Sequence, residues 1–518
     1  MVATSVPIAS AAGIETLRRG GNAIDAAIAA AAVLAVVEPM QTGLGGDAFA
    51  LFWSAHERRL IGLNGSGRAP ARATLAAYRE RGLETILPRG ILSVTVPGAV
   101  HAWETLAQRH GTLDLATLLE PAIRAAEQGF AVTELVAHYW WGLERMGHLA
   151  NAAARDTFAP AGATPRAGAW FRNPRLAASL RAITKGGAAA FYRGELGEAI
   201  LATSHAEGGL LEAADLASHS STWVEPITTR YRSATLAELP PNGQGLTALL
   251  ALNVLGCFEP ASVTSSLAWH RRIEAVKLAM ADRDAHLADP EHTSVPVDEL
   301  LSEAYAHERA GQMGERAVAA AGSGRGSDTT LLCTADAEGN QVAFIQSLAA
   351  GFGSGIACGD TGILLQSRAS GFRLDPRHPN ALAPGKRPFH TLMPGFLLRE
   401  GGPWIAFGIM GGDVQPQAHT VFVSNVVDDG MNPQEALDAP RFRWLAGTRV
   451  AIEVPELAVD AGGTLGAALS ARGHEVEAPP TFVADVFGGG QAIARASDGV
   501  WVGASDRRKD GCALGLWE

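Results

Sequence analysis

The chain of 518 residues is 47% hydrophobic, 18% charged and 6% aromatic, enough apolar material for a large core, which excludes a disordered chain and a small disulfide- or metal-stapled scaffold. Its net charge of −11, with Lys and Arg scattered along the sequence, excludes a nucleic-acid surface, because neutralising phosphates takes clustered cations. The four cysteines, Cys257, Cys333, Cys358 and Cys512, stand far apart with no CxxC pair, fitting neither a zinc site nor a disulfide framework and agreeing with a reducing compartment.

Met1–Pro7 carries neither a basic n-region nor an apolar h-region, so a cytoplasmic protein is expected. Two helices follow, Ile8–Arg18 and Asn22–Val37, separated by Gly20-Gly21, with Asn22 placed to cap the second. The apolar run Ala26–Val37 falls short of the roughly 20 residues a bilayer span needs and reads as a buried helix, so no membrane partner is expected. Gly43-Leu-Gly-Gly-Asp-Ala48 matches GxGxxA, but it follows a helix and precedes the strand Phe49–Trp53, the reverse of the order that seats a pyrophosphate. A second strand is expected at Arg59–Leu63. From Ala99 to about Ala310 the pattern is mainly helical, as at Ala116–Gln128 and Leu267–His286, with a break at Pro240-Pro-Asn-Gly-Gln-Gly245.

Between Gly311 and Ser327 the chain turns rich in Gly, Ala and Ser, and an exposed linker is expected. Beyond it, Thr329–Thr334, the turn Asp336–Asn340 and Gln341–Ser347 read as a β-hairpin. Further strands are expected at Gly362–Leu365, Phe396–Arg399, Trp404–Ile409 and Val500–Ser505, with helices at Pro416–Asp428 and Pro433–Ala439. This order predicts a layered sandwich of helices and sheets, with no internal repeat.

No GxSxG elbow, HExxH pair, P-loop or EF-hand loop occurs. Asp328-Thr329-Thr330 is the informative site, since a hydroxyl opening a strand directly after flexible chain is placed to attack its own preceding carbonyl. Hydrolysis of the resulting ester would free the Thr329 amine, with a reference pKa of about 7.7–8, to act as base for its own hydroxyl. On these residues alone, a loop entering a hairpin accounts for Thr329 as well, Thr being a good strand former.

Several ordered segments resemble the γ-glutamyltranspeptidase family: Gly20–Ala27, Glu38-Pro39 with Gly43–Gly46, Val96-Pro-Gly98, Gly111-Thr-Leu113, Asp328-Thr-Thr330, Asp336–Asn340, Phe352–Gly355, Gly362–Leu365, Lys386-Arg-Pro388 and Gly411-Gly412. The resemblance implies an N-terminal-nucleophile hydrolase with a four-layer αββα sandwich (α+β class). It also implies self-cleavage between Asp328 and Thr329 into a large subunit, residues 1–328, ending in the linker, and a small catalytic subunit, residues 329–518. It makes Thr329 the nucleophile, Ser347 its hydroxyl neighbour, and Gly411 and Gly412 the oxyanion donors, with no metal or cofactor.

The resemblance also shows departures. The family's carboxylate-binding Arg falls at Ser66, with Arg68 two residues on, and its Asn, Gln and Asp positions hold Ala349, Arg368 and Gly371. The paired serines after Arg-Pro are His390 and Thr391. Arg368 is open between a carboxylate receptor, which its guanidinium fork suits, and a surface Arg in a loop, His390 is open between substrate contact and core packing, and Arg68 and Cys333 read as structural. The expected activity is amide hydrolysis or acyl transfer on a small carboxylate-bearing substrate, oxamate-like, glutaryl-like or γ-glutamyl. The rivals are a true γ-glutamyltransferase and an unprocessed ligand-binding homologue. Beyond the processed pair the oligomeric state is left open.

Overall fold

Each N-terminal element has a local cause. The computed structural model describes residues 1–320, 328–478 and 484–516. Helices Pro7–Arg18 and Ala23–Val37 meet through Gly20, whose φ of 87° suits a residue without Cβ. Asn22 accepts hydrogen bonds from the Ile24 and Asp25 amides while the Asp25 carboxylate accepts from the Asn22 amide, a reciprocal cap. Every residue of Ala23–Val37 is buried, so this Ala-rich helix runs through the interior rather than along a surface.

Two antiparallel sheets form the centre. The seven-stranded sheet runs, edge to edge, Cys512–Leu514, Val2–Thr4, Asp328–Ala335, Gln341–Ala349, Asp47–Ser54, Arg59–Gly65 and Thr222–Val224. The six-stranded sheet runs Trp501–Ser505, Gly489–Arg495, Gly402–Met410, Gly395–Arg399, Ala234–Glu238 and Ile227–Tyr231. Side-chain alternation sorts their faces. Ala48, Ala50, Phe52, Val342 and Phe344 pack on Ala23–Val37, Ala99–His110, Leu115–Gln128 and Pro174–Tyr192. Phe49, Leu51, Ala343 and Ile345 turn the other way, onto Ala237, Phe396, Ala406 and Ile493 of the second sheet. The outer face of that sheet, with Phe407 and Ile409, meets Gly245–Gly256, Val414–Val427 and Pro433–Asp438. The layers thus run helices, sheet, sheet, helices.

Beside this core, the long helix Ser266–His286 packs with Leu465–Ala471 and the small sheet of Phe442–Ala446, Arg449–Ile452 and Glu475–Glu477. Among the described residues no helix is long and apolar enough to cross a membrane.

The expected hairpin is present as Asp328–Ala335 and Gln341–Ala349. The strand expected at Gly362–Leu365 is not. That segment makes only single bridges, Ala357 with Leu364 and Gly45 with Leu365, because it crosses the Gly43–Gly46 turn, where a Cβ on Gly45 would lie 2.1 Å from the Leu364 carbonyl. The helix-rich middle also contributes Thr222–Val224 to one sheet and Ile227–Tyr231 and Ala234–Glu238 to the other. Of the expected linker, residues 321–327 lie outside the described residues, and residues 311–320 are exposed or half-buried, with main-chain hydrogen bonds to other segments at Ala317 and Ala320.

Candidate functional site

Thr329 stands one residue into a central strand, 0% exposed, and its Oγ1 has no hydrogen-bond partner among the described residues. The ladder beside it is irregular, with Gln346 opposite Thr330 but Ala349 opposite Asp328. Ser347 and Leu348 therefore face Thr329 together, a β-bulge, and bulges re-aim side chains. Ser347 Oγ accepts the Ala349 amide at 2.8 Å and holds the bulge, in which Ala349 has φ 79°.

The second sheet brings the glycine pair to the same level. Cys333 Sγ lies 3.5 Å from the Ala406 carbonyl, and a Cβ on Gly408 would fall 2.1 Å from Leu331 Cδ1. Continuing that crossing register carries Thr329 to Met410, next to Gly411. Gly411 and Gly412 have φ of 130° and 64°, and a Cβ on Gly411 would sit 2.5 Å from Val414 Cγ1, so glycine is required there. Their carbonyls are engaged: Gly411 O accepts from Val414 N at 3.3 Å, and Gly412 O from Gln415 N at 3.1 Å and Gln244 Nε2 at 2.9 Å. Gln244 Nε2 also donates to the Thr391 carbonyl at 2.8 Å, while Arg283 Nη1 donates to Asp413 at 2.8 Å and Gln244 Oε1 at 3.2 Å. The pair sits at the N-terminus of the buried helix Val414–Val427, whose dipole favours negative charge there.

A cavity of about 410 Å³ adjoins both elements, lined by Ala349, the register partner of Asp328, by Asp413 after the glycine pair, and by Arg368, Gly371, Thr391, Phe389 and Thr85–Pro88. Arg368 is buried, and its Nη1 donates to Thr391 Oγ1 at 2.9 Å. Its Nε and Nη2 have no hydrogen-bond partner among the described residues, and the Asp47 carboxylate is 3.9 Å from Nε. The guanidinium is thus buried beside the cavity, with two nitrogens that make no hydrogen bond among the described residues. Burial pulls it down to about 10, still cationic at neutral pH, with Asp47 opposing the shift.

His390 lies behind this wall. Its Nδ1 accepts the Leu392 amide at 3.3 Å, so the proton is on Nε2, which donates to Asp47 Oδ2 at 3.1 Å. Burial, with Arg368 nearby, keeps the imidazole neutral, well below its usual range. Burial also pushes the Asp47 carboxyl up to about 7, against Arg368 and the Gly67 and Gly98 amides that favour its charged form. Asp47 is thus protonated below about pH 7 and ionised above it, where it offsets the Arg368 charge. For a substrate whose carboxylate sits beside Arg368, KM is therefore expected to rise as pH passes upward through 7; a pH-independent KM would remove Asp47 from this role.

Ser66 is fully buried, its hydroxyl donating to Asn64 Oδ1 at 2.6 Å, and is not part of the cavity wall. Arg68 pairs with Glu291 at 2.8 Å, and Cys333 is buried between the sheets. Asp47, Gln244, Arg283 and Asp413 escaped the sequence reading; only Asp47 carried a signal, an acid opening a strand after a glycine turn. Among the described residues, one group of possible metal ligands is present away from this cavity, His270, Glu274 and His474. There the Lys277 ammonium, 2.6 Å from Glu274 Oε1, already supplies the positive charge a cation would bring.

A family model described as gamma-glutamyltranspeptidase matches residues 9–516. The chain belongs to the gamma-glutamyltranspeptidase family. Within this family of N-terminal-nucleophile hydrolases, it is 39% identical to the glutathione hydrolase-like YwrD proenzyme of Bacillus subtilis over 100% of this chain and 98% of the relative. It is 38% identical to the oxamate amidohydrolase proenzyme of Klebsiella pneumoniae, covering 98% and 97%. Among solved structures, the cephalosporin acylase of Bacillus halodurans superposes with a TM-score of 0.94 at 45% identity, covering 100% of this chain and 95% of that one. The gamma-glutamyltranspeptidase-family chain is accordingly an enzyme of the amidohydrolase and acylase kind.

Proposed function

We propose that the chain is a proenzyme that cuts itself between Asp328 and Thr329 and then hydrolyses a small amide bearing a carboxylate. The observation that carries this reading is the fully buried Thr329 hydroxyl, which has no hydrogen-bond partner among the described residues. In the cut, Thr329 Oγ adds to the Asp328 carbonyl carbon, the C–N bond breaks, and nitrogen takes the hydroxyl proton. Water then hydrolyses the ester, leaving an Asp328 carboxylate and a free Thr329 amine.

In turnover the amine takes the proton from Oγ as Oγ adds to the substrate carbonyl, and delivers it to the leaving amine. The Gly411 and Gly412 amides carry the oxyanion, each such donor being worth about 3–4 kcal/mol. The acyl group passes to water or to an acceptor amine. Ser347 positions the nucleophile through the bulge it holds opposite Thr329, so Ser347→Ala is expected to lower kcat about tenfold with little change in KM; an unchanged kcat would take Ser347 out of the site.

Arg368 supports the substrate class. Its unused nitrogens suit a carboxylate on the acyl part, whereas the α-ammonium of a γ-glutamyl group would meet a cation, with Gly371 offering no counter-charge. The relatives named oxamate amidohydrolase and cephalosporin acylase fit that preference, and those named glutathione hydrolase favour the second reading, a γ-glutamyltransferase. The test follows freshly made chain on denaturing gels and then assays γ-glutamyl anilide, glutathione, oxamate and glutaryl amides. Two fragments and faster turnover of the substrates without an amino group are expected. An intact, inactive chain would favour a ligand-binding homologue, and glutathione turned over as fast as every deaminated analogue would favour the transferase.

A further inference from the structure

Gln244 stands at the N-cap of the helix Gly245–Gly256, yet its side chain makes no capping hydrogen bond there. The fully buried carboxamide reaches across the chain instead. Its Nε2 donates to the Gly412 carbonyl at 2.9 Å and to the Thr391 carbonyl at 2.8 Å. Arg283, 4% exposed, donates to Gln244 Oε1 at 3.2 Å and to Asp413 Oδ1 at 2.8 Å. A guanidinium can only donate, so the carboxamide atom facing it must be the oxygen, and the amide nitrogen is left to face the two carbonyls.

The Gly412 end of this contact matters because glycine has little torsional restraint of its own, and Gly411 and Gly412 stand at φ of 130° and 64°. Holding a carbonyl fixes the whole peptide plane it belongs to. The Gly411 carbonyl is held by the Val414 amide at 3.3 Å, and the Gly412 carbonyl by the Gln415 amide at 3.1 Å and by Gln244. The Gln244 bond is the shortest of the three, and it alone does not come from the following helix. At the other end, the Thr391 stretch of the cavity wall has further ties. The Gln244 amide donates to the His390 carbonyl at 3.0 Å and the His390 amide to the Asn242 carbonyl at 2.9 Å. Loss of the carboxamide therefore loosens the glycine pair more than the wall.

We propose that Gln244 is a positioning residue for amide hydrolysis: oriented by Arg283, its carboxamide fixes the Gly412 peptide against the cavity wall and so keeps the oxyanion donors in place. This rests on the reading of Gly411 and Gly412 as those donors. Donors fixed in advance stabilise developing charge without reorganising during the reaction, and outright loss of one costs about 10²–10³-fold in kcat. Gln415 still holds the Gly412 carbonyl when Gln244 is gone, so the donors are displaced rather than lost and the cost is a part of that range. It falls on the transition state and not on substrate binding.

The test compares the wild-type enzyme, Gln244→Met and Gln244→Glu as split protein at about pH 8, where a terminal amine is largely free. Met keeps the length and removes the donor, whereas Glu, ionised beside Arg283, keeps the shape and turns only acceptors toward the two carbonyls. Each is assayed for kcat and KM on glutaryl anilide and for inhibition by glutarate and by 4-boronobutanoic acid. The boron of the last bonds to Thr329 Oγ, whose proton passes to the Thr329 amine, and becomes a tetrahedral anion with no group leaving. The expected result is kcat lower by about tenfold or more in both variants and boronate affinity lower by a similar factor, with KM and glutarate affinity within about twofold of wild type. Wild-type kcat in either variant, or KM and glutarate affinity worsening along with kcat, would overturn the proposal. Failure of both variants to give folded, split protein would overturn it too, making Gln244 a structural residue. A wild-type enzyme that binds the boronate no more tightly than glutarate would overturn the reading of the glycine pair instead.

Discussion

Thr329→Ala is expected to stay one chain of 518 residues and to lose amidase activity by on the order of 10⁴-fold or more, because the same hydroxyl serves the cut and the acyl transfer. Its fold should survive, since the substitution removes a buried hydroxyl that makes no hydrogen bond among the described residues and one methyl group. Thr329→Ser keeps the oxygen and frees its rotation, so it should split more slowly and retain partial activity. Mass spectrometry of the fragments checks both. A Thr329→Ala chain that still splits at that bond would place the nucleophile elsewhere.

Arg368→Gln should weaken use of a carboxylate-bearing amide by about 1.5–3 kcal/mol in kcat/KM, the range for a hydrogen bond to a charged group. The same variant should affect an amide lacking the carboxylate far less. Loss of the cation also removes repulsion of an α-ammonium, so the ratio of γ-glutamyl to glutaryl turnover should rise. An equal fall on both kinds of amide would make Arg368 a packing residue rather than a receptor.

Much of the frame was legible because its causes are local. Asn22 and Asp25 cap a helix within one turn, and the turn Asp336–Asn340 closes the hairpin through the Asp336 carboxylate, which accepts from both the Asn340 amide and its side chain. What stayed hidden depends on distant partners. The strand Gly489–Arg495, opening on two glycines, carried no local signal; a Cβ on Gly490 would lie 2.7 Å from Leu437 Cδ2. Gly362–Leu365 looked like a strand because its apolar residues are those of a buried crossing.

The site divides the same way. Thr329, Gly411 and Gly412 came from motif resemblance, and the structure adds a physical setting for them. Asp47, Gln244, Arg283 and Asp413 work through contacts spanning large stretches of chain, such as Asp47 to His390 and Arg283 to Asp413, which no spacing rule encodes. Ser66 took its role from position alone, and its hydrogen bonds to Asn64 account for its burial.

The seven-stranded sheet interleaves the two sides of the expected cut: Val2–Thr4 lies between Cys512–Leu514 and Asp328–Ala335, and Gln341–Ala349 pairs with Asp47–Ser54. Neither fragment owns a complete sheet. Once split, the pair has no route to separate that does not tear a central ladder, so its persistence becomes a matter of unfolding rate rather than of a dissociation constant. Heating the mature enzyme would then be a one-way event, because two partial sheets with bare edges aggregate faster than they find each other again, whereas the uncut chain keeps its halves tethered and can recover.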